Sequence, residues 1–342
     1  MQPDALSSPP SHGRRPLDEI ALARWRDRLE RSVTPIWLHA EVARRMGERL
    51  SLIKQPARRA LIWGRSGGRG DEIVQVWPQT RRTQVELATG LPTGADQTSG
   101  PSVAGQGESG WGRTWRQLRD RWVNSIRVTG NLTDRSPASH AALPVCDATR
   151  VAPASADLIW SNMGLHLQAD PVAIFRSWHQ ALAIDGFVMF STLGPGTVPE
   201  LRALYQREGW GPPQAPLVDM HDLGDMMGRA GLADPVVDQE TLTLTWACAA
   251  DAMAELRGLG ANAAGDRFSG LRTPGWRRRL ELALEEAGRT RADAKVALTF
   301  EVIYGHAFKP PPKVPVAAHT SVALEDMRAL ARGARRRSDP PS

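Results

Sequence analysis

The chain has 342 residues, 41% hydrophobic and 23% charged, enough for one large or two modest globular domains. Two cysteines, Cys146 and Cys248, exclude a disulfide framework or a four-cysteine metal site, and the eight histidines show no metal-ligand spacing. The net charge of +6 comes from scattered arginine clusters such as Arg58-Arg59 and Arg277-Arg278-Arg279, without the aromatic platforms or finger spacing of a nucleic-acid binder.

No apolar run is long enough to span a bilayer, so a cytoplasmic protein with neither a membrane nor a nucleic-acid partner is expected. In chain order, the Pro/Ser-rich residues 1–16 read as disordered. Leu17 to Arg31 reads as an amphipathic helix, and Trp37 opens another with Leu38, Val42, Met46, Leu50 and Ile53 at helical spacing. Ala60 to Trp63 is a short apolar strand running into the glycine-rich Gly64-Arg65-Ser66-Gly67-Gly68. A helix over Asp71–Trp77 stops at Pro78, and Gln84 to Leu87 gives a second strand. Residues 90–112 are too poor in apolar side chains to pack and read as a flexible insertion. A tryptophan- and arginine-rich helix over Trp111–Val123 leads toward a third strand near 125–129.

The most informative stretch runs from Asp157 to Thr197. It reads as a buried strand, a helix and a second buried strand. Asp170-Pro171 supplies an N-cap and a first-turn proline for that helix, Val172, Phe175, Trp178 and Leu182 its apolar stripe, and Gly186 a stop. Such a crossover joins parallel strands, and open parallel sheets bind ligands at their carboxyl ends. Ser161-Asn162 and Leu193-Gly194-Pro195 fall there. Farther on, Thr241–Trp246 alternates strictly, as do the even positions from Val296 to Phe308, with helices near 250–258 and 274–287 between them. Residues 310–342 form a Pro/Arg-rich tail.

With these residues in place, DLIWSNMGLHLQADP, FSTLGPGTVPELRAL, MHDLGDMMGRAGLADPVVDQETLTLTW, AELRGLGANAAGDRFSGLR and LTFEVIYGHAFKP resemble a class I S-adenosylmethionine (SAM) methyltransferase. Within that class the nearest likeness is the malonyl-acyl-carrier-protein O-methyltransferase family of biotin synthesis. The resemblance covers roughly residues 35–90 and 140–310. It implies an α/β, Rossmann-like, seven-stranded and mostly parallel sheet with an antiparallel last strand and helices on both faces. Its domain would run from 17 to 309, with lid helices over 17–55 and a helical substrate-side insertion over 250–290. The lid helices would show the same periodicity if they merely covered the sheet.

The resemblance also implies a cofactor site for SAM. Gly64 and Gly68 match the outer glycines of the family's turn after its first strand, while Ile62 replaces the family's acid and Ser66 its middle glycine. Glu86, about twenty positions beyond Gly64, suits the acid that takes both ribose hydroxyls; a surface glutamate is the plain alternative. Asp147 matches the adenine-side aspartate, or else simply forms a turn. Asn162 caps the fourth strand at a site-facing position.

For the acceptor, a malonyl thioester presents a carboxylate that arginine can grip with two bonds. Arg272 and then Arg267 are the candidates, with His166 lining the pocket; solvated arginines and a packed histidine are the alternatives. The partner implied is an acidic acyl-carrier protein carrying a malonyl group, drawn in by a basic surface. The departures at Ile62 and Ser66 keep a second reading open, a non-catalytic paralogue serving as a binding or regulatory module, and a third, transfer to another small acceptor. A nicotinamide-dependent dehydrogenase does not fit, because no complete Gly-x-Gly-x-x-Gly follows the first strand.

Overall fold

The computed structural model describes residues 15–30, 37–64, 68–86, 143–260, 262–289, 295–312, 324–325 and 327–328. The chain divides into a unit Met1–Lys309 and a second unit Pro310–Ser342. The expected insertion over 90–112, the helix over Trp111–Val123 and the strand near 125–129 lie outside the described residues.

In the first unit the strands are β1 (Arg59–Trp63), β2 (Arg81–Glu86), β3 (Val145–Asp147), β4 (Ala156–Ser161), β5 (Leu182–Leu193), β6 (Ala233–Trp246) and β7 (Val296–Phe308). The α-helices are α1 (Glu19–Glu30), α2 (Trp37–Leu50), α3 (Asp71–Val76), α4 (Pro171–Ala181), α5 (Pro199–Arg207), α6 (Met220–Arg229), α7 (Ala249–Leu259) and α8 (Pro274–Arg289). All seven strands form one sheet in the order β3-β2-β1-β4-β5-β7-β6. β1 to β5 pair in parallel, and β7 runs antiparallel to both β5 and β6. The expected sheet is therefore present, with β7 slotted between β5 and β6 as its reversed strand. The described strand that follows β2 in the chain and lies at the edge beside it is Val145–Asp147, later in the chain than the expected 125–129.

Burial explains why these segments became strands. β1 is buried at four successive positions, as a central parallel strand covered on both faces must be. On one face Leu38, Val42 and Met46 of α2, Ile73 of α3, and Leu280 and Leu284 of α8 join Ile62, Leu158, Trp160 and Phe300 in a single core. On the other, Phe175 and Trp178 of α4 and Leu223 and Met227 of α6 pack with Trp63, Val85, Ile159 and Phe190. The periodicity of α2 thus belongs to a helix that covers the sheet. Arg45 pairs with Glu240 at 2.6 Å, Arg49 with Asp238 at 2.8 Å, and Arg49 lies 3.8 Å from the Tyr304 ring centre, tying α2 to β6 and β7.

α4 starts as its sequence dictates: the Asp170 carboxylate accepts from the Ala173 N–H at 2.9 Å, and Pro171 occupies the first turn. Its end differs from expectation. The helix stops at Ala181, and both Leu182 and Gly186 belong to β5. The left-handed residue is Asp185, at φ 62°. Gly186 is needed for close approach instead, since a Cβ there would lie 2.9 Å from the Ala183 carbonyl and 3.1 Å from that of Asp157.

Candidate active site

The carboxyl edge of the parallel strands carries the cofactor candidates. Trp63 is paired with Val85, Glu86 with Asp147, and Ile62 with Trp160. One or two residues beyond those pairs, the register sets Asp147, Glu86, Gly64 and Asn162 in one row across β3, β2, β1 and β4. Four residues separated by up to a hundred positions of sequence thus meet at one edge of the sheet.

The turn after β1 is shaped by backbone. Gly64 has φ 84° and Gly68 φ 86°, values at which a side chain is strained, and a Cβ on either would meet nothing within 4 Å among the described residues. There is room beside this turn for a ligand to approach the main chain. Residues 65–67, including Ser66, lie outside the described set. The turn is anchored from below by Gln84, whose buried amide donates to the carbonyls of Ile62 at 3.1 Å and Gly64 at 2.8 Å. The Gly64 N–H donates in turn to the Val85 carbonyl at 3.0 Å. Sequence reasoning overlooked Gln84; a polar residue facing inward in mid-strand was its only signal. Ile62 is a core residue, and a Cβ on Gly70 would sit 2.6 Å from its Cδ1. Hydrophobic packing under Gly70 occupies the place of the family's acid. Trp63 packs away from the turn, edge-on to Trp178 with ring centres 6.1 Å apart.

Glu86 ends β2, half-buried, next to that turn. Asp147 ends β3, where one oxygen accepts from the Thr149 N–H at 2.7 Å and the Thr149 hydroxyl at 2.6 Å. The hydroxyl bond first, then the N–H, holds its carboxyl below the usual carboxylate range. The turn-forming role foreseen as an alternative is therefore present, and both bonds fall on Oδ1.

Asn162 is buried, and its side chain is a junction. Its Nδ2 donates to the His39 carbonyl on α2 at 2.8 Å, and its Oδ1 accepts from the Ser191 hydroxyl at 2.7 Å. Ser191 Oγ accepts from the Met163 N–H at 3.0 Å. Asn162 therefore fixes how α2, β4 and β5 come together at the edge. Beside it the backbone is strained: Met163 has φ 53° and Val198, just beyond β5, φ 45°. Such residues cost on the order of 1–3 kcal/mol each and gather where a site must be shaped. The Val198 N–H, bonded to the Thr299 carbonyl at 2.6 Å, helps to hold the conformation.

Beyond the ends of β4 and β5 lies a cavity of about 270 Å³. His166, Leu193 and Tyr205 line it from the sheet side, Leu256 and Arg257 from α7, and Arg15 from the segment before α1. Burial, reinforced by neighbouring His39 and Arg15, pushes His166 down to about 3, so its ring is neutral at ordinary pH. The structure thus places His166 in the cavity wall. Arg267 and Arg272 are not among the lining residues. Arg267 forms an ion pair with Asp18, ahead of α1. Arg272 donates to the Trp210 carbonyl at 2.6 Å and stacks 4.0 Å from the Phe268 ring centre and 4.5 Å from that of Trp276. Packing begins earlier than position 17: the Arg15 N–H donates to the Ala169 carbonyl at 2.6 Å, and Leu17 bridges to Ala264.

The strand order, the reversed β7 and a glycine turn facing an acid-tipped β2 define a class I methyltransferase fold. Comparison with known proteins carries this to a family. Malonyl-[acyl-carrier protein] O-methyltransferase of Gallionella capsiferriformans is 35% identical over 81% of this chain and 86% of its own length. The protein of that name from Laribacter hongkongensis is 33% identical over 80% and 83% respectively. The chain belongs to the malonyl-[acyl-carrier protein] O-methyltransferase family. No protein-family model matches it. Among solved structures, the YcgJ protein of Bacillus is similar at a TM-score of 0.43 and 11% identity, covering 78% of this chain and 98% of that one.

Proposed function

We infer that the protein is a SAM-dependent O-methyltransferase acting on the free carboxyl of a malonyl thioester carried by an acyl-carrier protein, in biotin synthesis. Family membership supports the activity, and one structural observation carries the assignment of the site: Asp147, Glu86, Gly64 and Asn162 share a row at the carboxyl edge, beside glycines that leave open space. The residues present fit the cofactor. Gly64 and Gly68 offer main chain that a ligand can approach, and the Glu86 carboxylate has two acceptor oxygens for a ribose diol.

Bound SAM supplies an electrophilic methyl group on a sulfonium, which a carboxylate oxygen takes while the sulfur leaves as a neutral thioether. The acceptor carboxyl is already ionised at neutral pH, so the protein need not remove a proton. Its task is alignment and exclusion of water. Gln84 fixes the turn on the cofactor side, and Asn162 with Ser191 fixes the end of β4 between cofactor and acceptor. The apolar wall of the cavity, from Leu193 and Leu256, keeps water from the acceptor.

The reading as a non-catalytic module rests on Ile62, Ser66 and the short segment after Asp147. Ile62 is absorbed by the core, so its departure from the family leaves the turn standing. The acidic carrier protein implied by the family resemblance, which a net charge of +6 would help to steer, remains part of this proposal. Titration calorimetry with SAM tests the cofactor site: the wild type binds, and Glu86→Ala weakens binding by about ten- to a hundredfold, as expected for losing hydrogen bonds to a charged acceptor. No heat at millimolar SAM, or equal affinity in the two proteins, contradicts the assignment.

A further inference from the structure

The cavity beyond β4 and β5 has an unbalanced lining. It includes two arginines, Arg15 and Arg257, and the neutral His166, with no aspartate or glutamate among its lining residues. Arg257 is exposed, on α7. Arg15 is drawn inward, and burial alone lowers it to about 10. A guanidinium offers five N–H donors. Nη1 of Arg15 donates to the carbonyls of His166 at 2.6 Å and Gln168 at 3.3 Å, and Nη2 donates to that of Pro216. The Nε, which is buried, has no partner among the described residues. Among the described residues no carboxylate pairs with Arg15. A full positive charge is therefore held in the wall of an otherwise largely apolar cavity by neutral carbonyls alone, an arrangement that calls for an anion.

We propose that Arg15 recognises the acceptor's carboxylate, lodging the charged end of a short, malonyl-like acyl group in this cavity. The inference rests on the O-methyltransferase reading of the same site. The carbonyls engage Nη1 twice and Nη2 once, so Nε and one donor of Nη2 are left, and these two nitrogens form one edge of the planar fork. A carboxylate that enters here meets the remaining Nη2 donor first, and a shift of the side chain that uncovers the buried Nε completes two parallel bonds. Each carboxylate oxygen has two lone pairs, so a two-bond grip leaves the attacking oxygen one for the methyl carbon. An acetyl group offers no charge to this fork, which gives a basis for rejecting it. Neither arginine picked out in the sequence is as available, because Arg267 pairs with Asp18 and Arg272 is stacked between Phe268 and Trp276.

Arg15 also ties its own segment to the body, so the test must separate recognition from that role. Three variants of the full chain serve, Arg15→Gln, Arg15→Lys and Asp18→Asn; the last breaks the ion pair with Arg267 but leaves the guanidinium. With a malonylated carrier protein as acceptor, KM rises about ten- to a hundredfold in Arg15→Gln. SAM affinity holds, added guanidinium ion lowers the KM again, Arg15→Lys is intermediate, and Asp18→Asn stays within a few-fold of wild type. In a melting assay free malonate protects the wild type more than its monomethyl ester does, and Arg15→Gln loses that protection. An unchanged KM in Arg15→Gln, an equal rise in Asp18→Asn, or no protection of the wild type by malonate overturns the proposal. Should Arg15→Gln not fold, Arg15→Lys and the wild-type malonate titration decide. Arg15-dependent malonate binding without methyl transfer leaves the anion site and removes the functional reading; transfer indifferent to Arg15 does the reverse.

Discussion

The two halves of the carboxyl edge are built from different materials. On the β1–β3 side the shape comes from main chain: two glycines at positive φ, tied by the amide of Gln84 and backed by Ile62. On the β4–β5 side it comes from side chains: Asn162 locked to Ser191 and His39, and a cavity closed by Arg15, Tyr205 and Leu256. A site made of backbone tolerates exchanged side chains as long as the turn survives. That is why Ile62, where an acid stands in the resembled turn, fits this fold. A site made of side chains is exacting in which residues it uses, and under the proposed function it is there that selectivity for an acceptor is expected.

The largest effect should follow from crowding the main-chain half. Gly70 sits at φ 63° with Ile62 Cδ1 only 2.6 Å from a would-be Cβ. Gly70→Ala therefore adds backbone strain of about 1–2 kcal/mol to overpacking of about 1–3 kcal/mol. A melting point several degrees lower, with SAM affinity falling alongside it, is the expected outcome; an unchanged melting point would show that the packing under the turn is slack.

A finer cut comes from Gln84→Leu, which keeps the volume but removes both bonds to the turn. Leaving the carbonyls of Ile62 and Gly64 short of a partner costs about 1–3 kcal/mol. In calorimetry this should weaken SAM by roughly tenfold, while protection by malonate, a property of the other half, stays as it was. Equal losses of both ligands would mean that the halves are not separable.

The smallest effect is a pH dependence of the acceptor half. His166 falls from 6.5 to about 3 in the folded protein, facing His39 and Arg15. Below 6.5 the unfolded chain takes up a proton that the folded one refuses, so this contribution is complete above 6.5 and is lost progressively as pH falls toward 3. The slope cannot exceed about 1.4 kcal/mol per pH unit, and about 1 kcal/mol is expected near pH 5.5. Chemical denaturation across this range should show a shallower acid loss in His166→Gln than in wild type. Parallel curves would place the histidine's proton elsewhere.

How much of this was legible beforehand depended on the range of the interaction. β7 was read residue for residue, because alternation over Val296–Phe308 is a local signal. The start of α4 was equally plain, since Asp170 and Pro171 act within one turn. Gly186 was misread for the opposite reason. A glycine after a helix looks like a stop, yet its need arises from the carbonyl of Ala183 at 2.9 Å and from that of Asp157, on the neighbouring strand, at 3.1 Å. The packing of α2 on the sheet was not legible either, because its ion pairs to Glu240 and Asp238 join residues almost two hundred positions apart. Among the site residues, the row from Asp147 to Asn162 followed from spacing and resemblance. Arg15 did not, because nothing near it in sequence distinguishes it from a solvated arginine; its bonds to the carbonyls of His166, Gln168 and Pro216, the first of them 151 positions on, bring it to the cavity wall.

The account turns on whether both halves act on one acceptor. Purified protein, labelled SAM and carrier protein bearing either a malonyl or an acetyl group provide the direct measurement. The prediction is base-labile label, as a methyl ester gives, on the malonyl form and none on the acetyl form. Label on neither, with SAM bound, or on both alike, would contradict it.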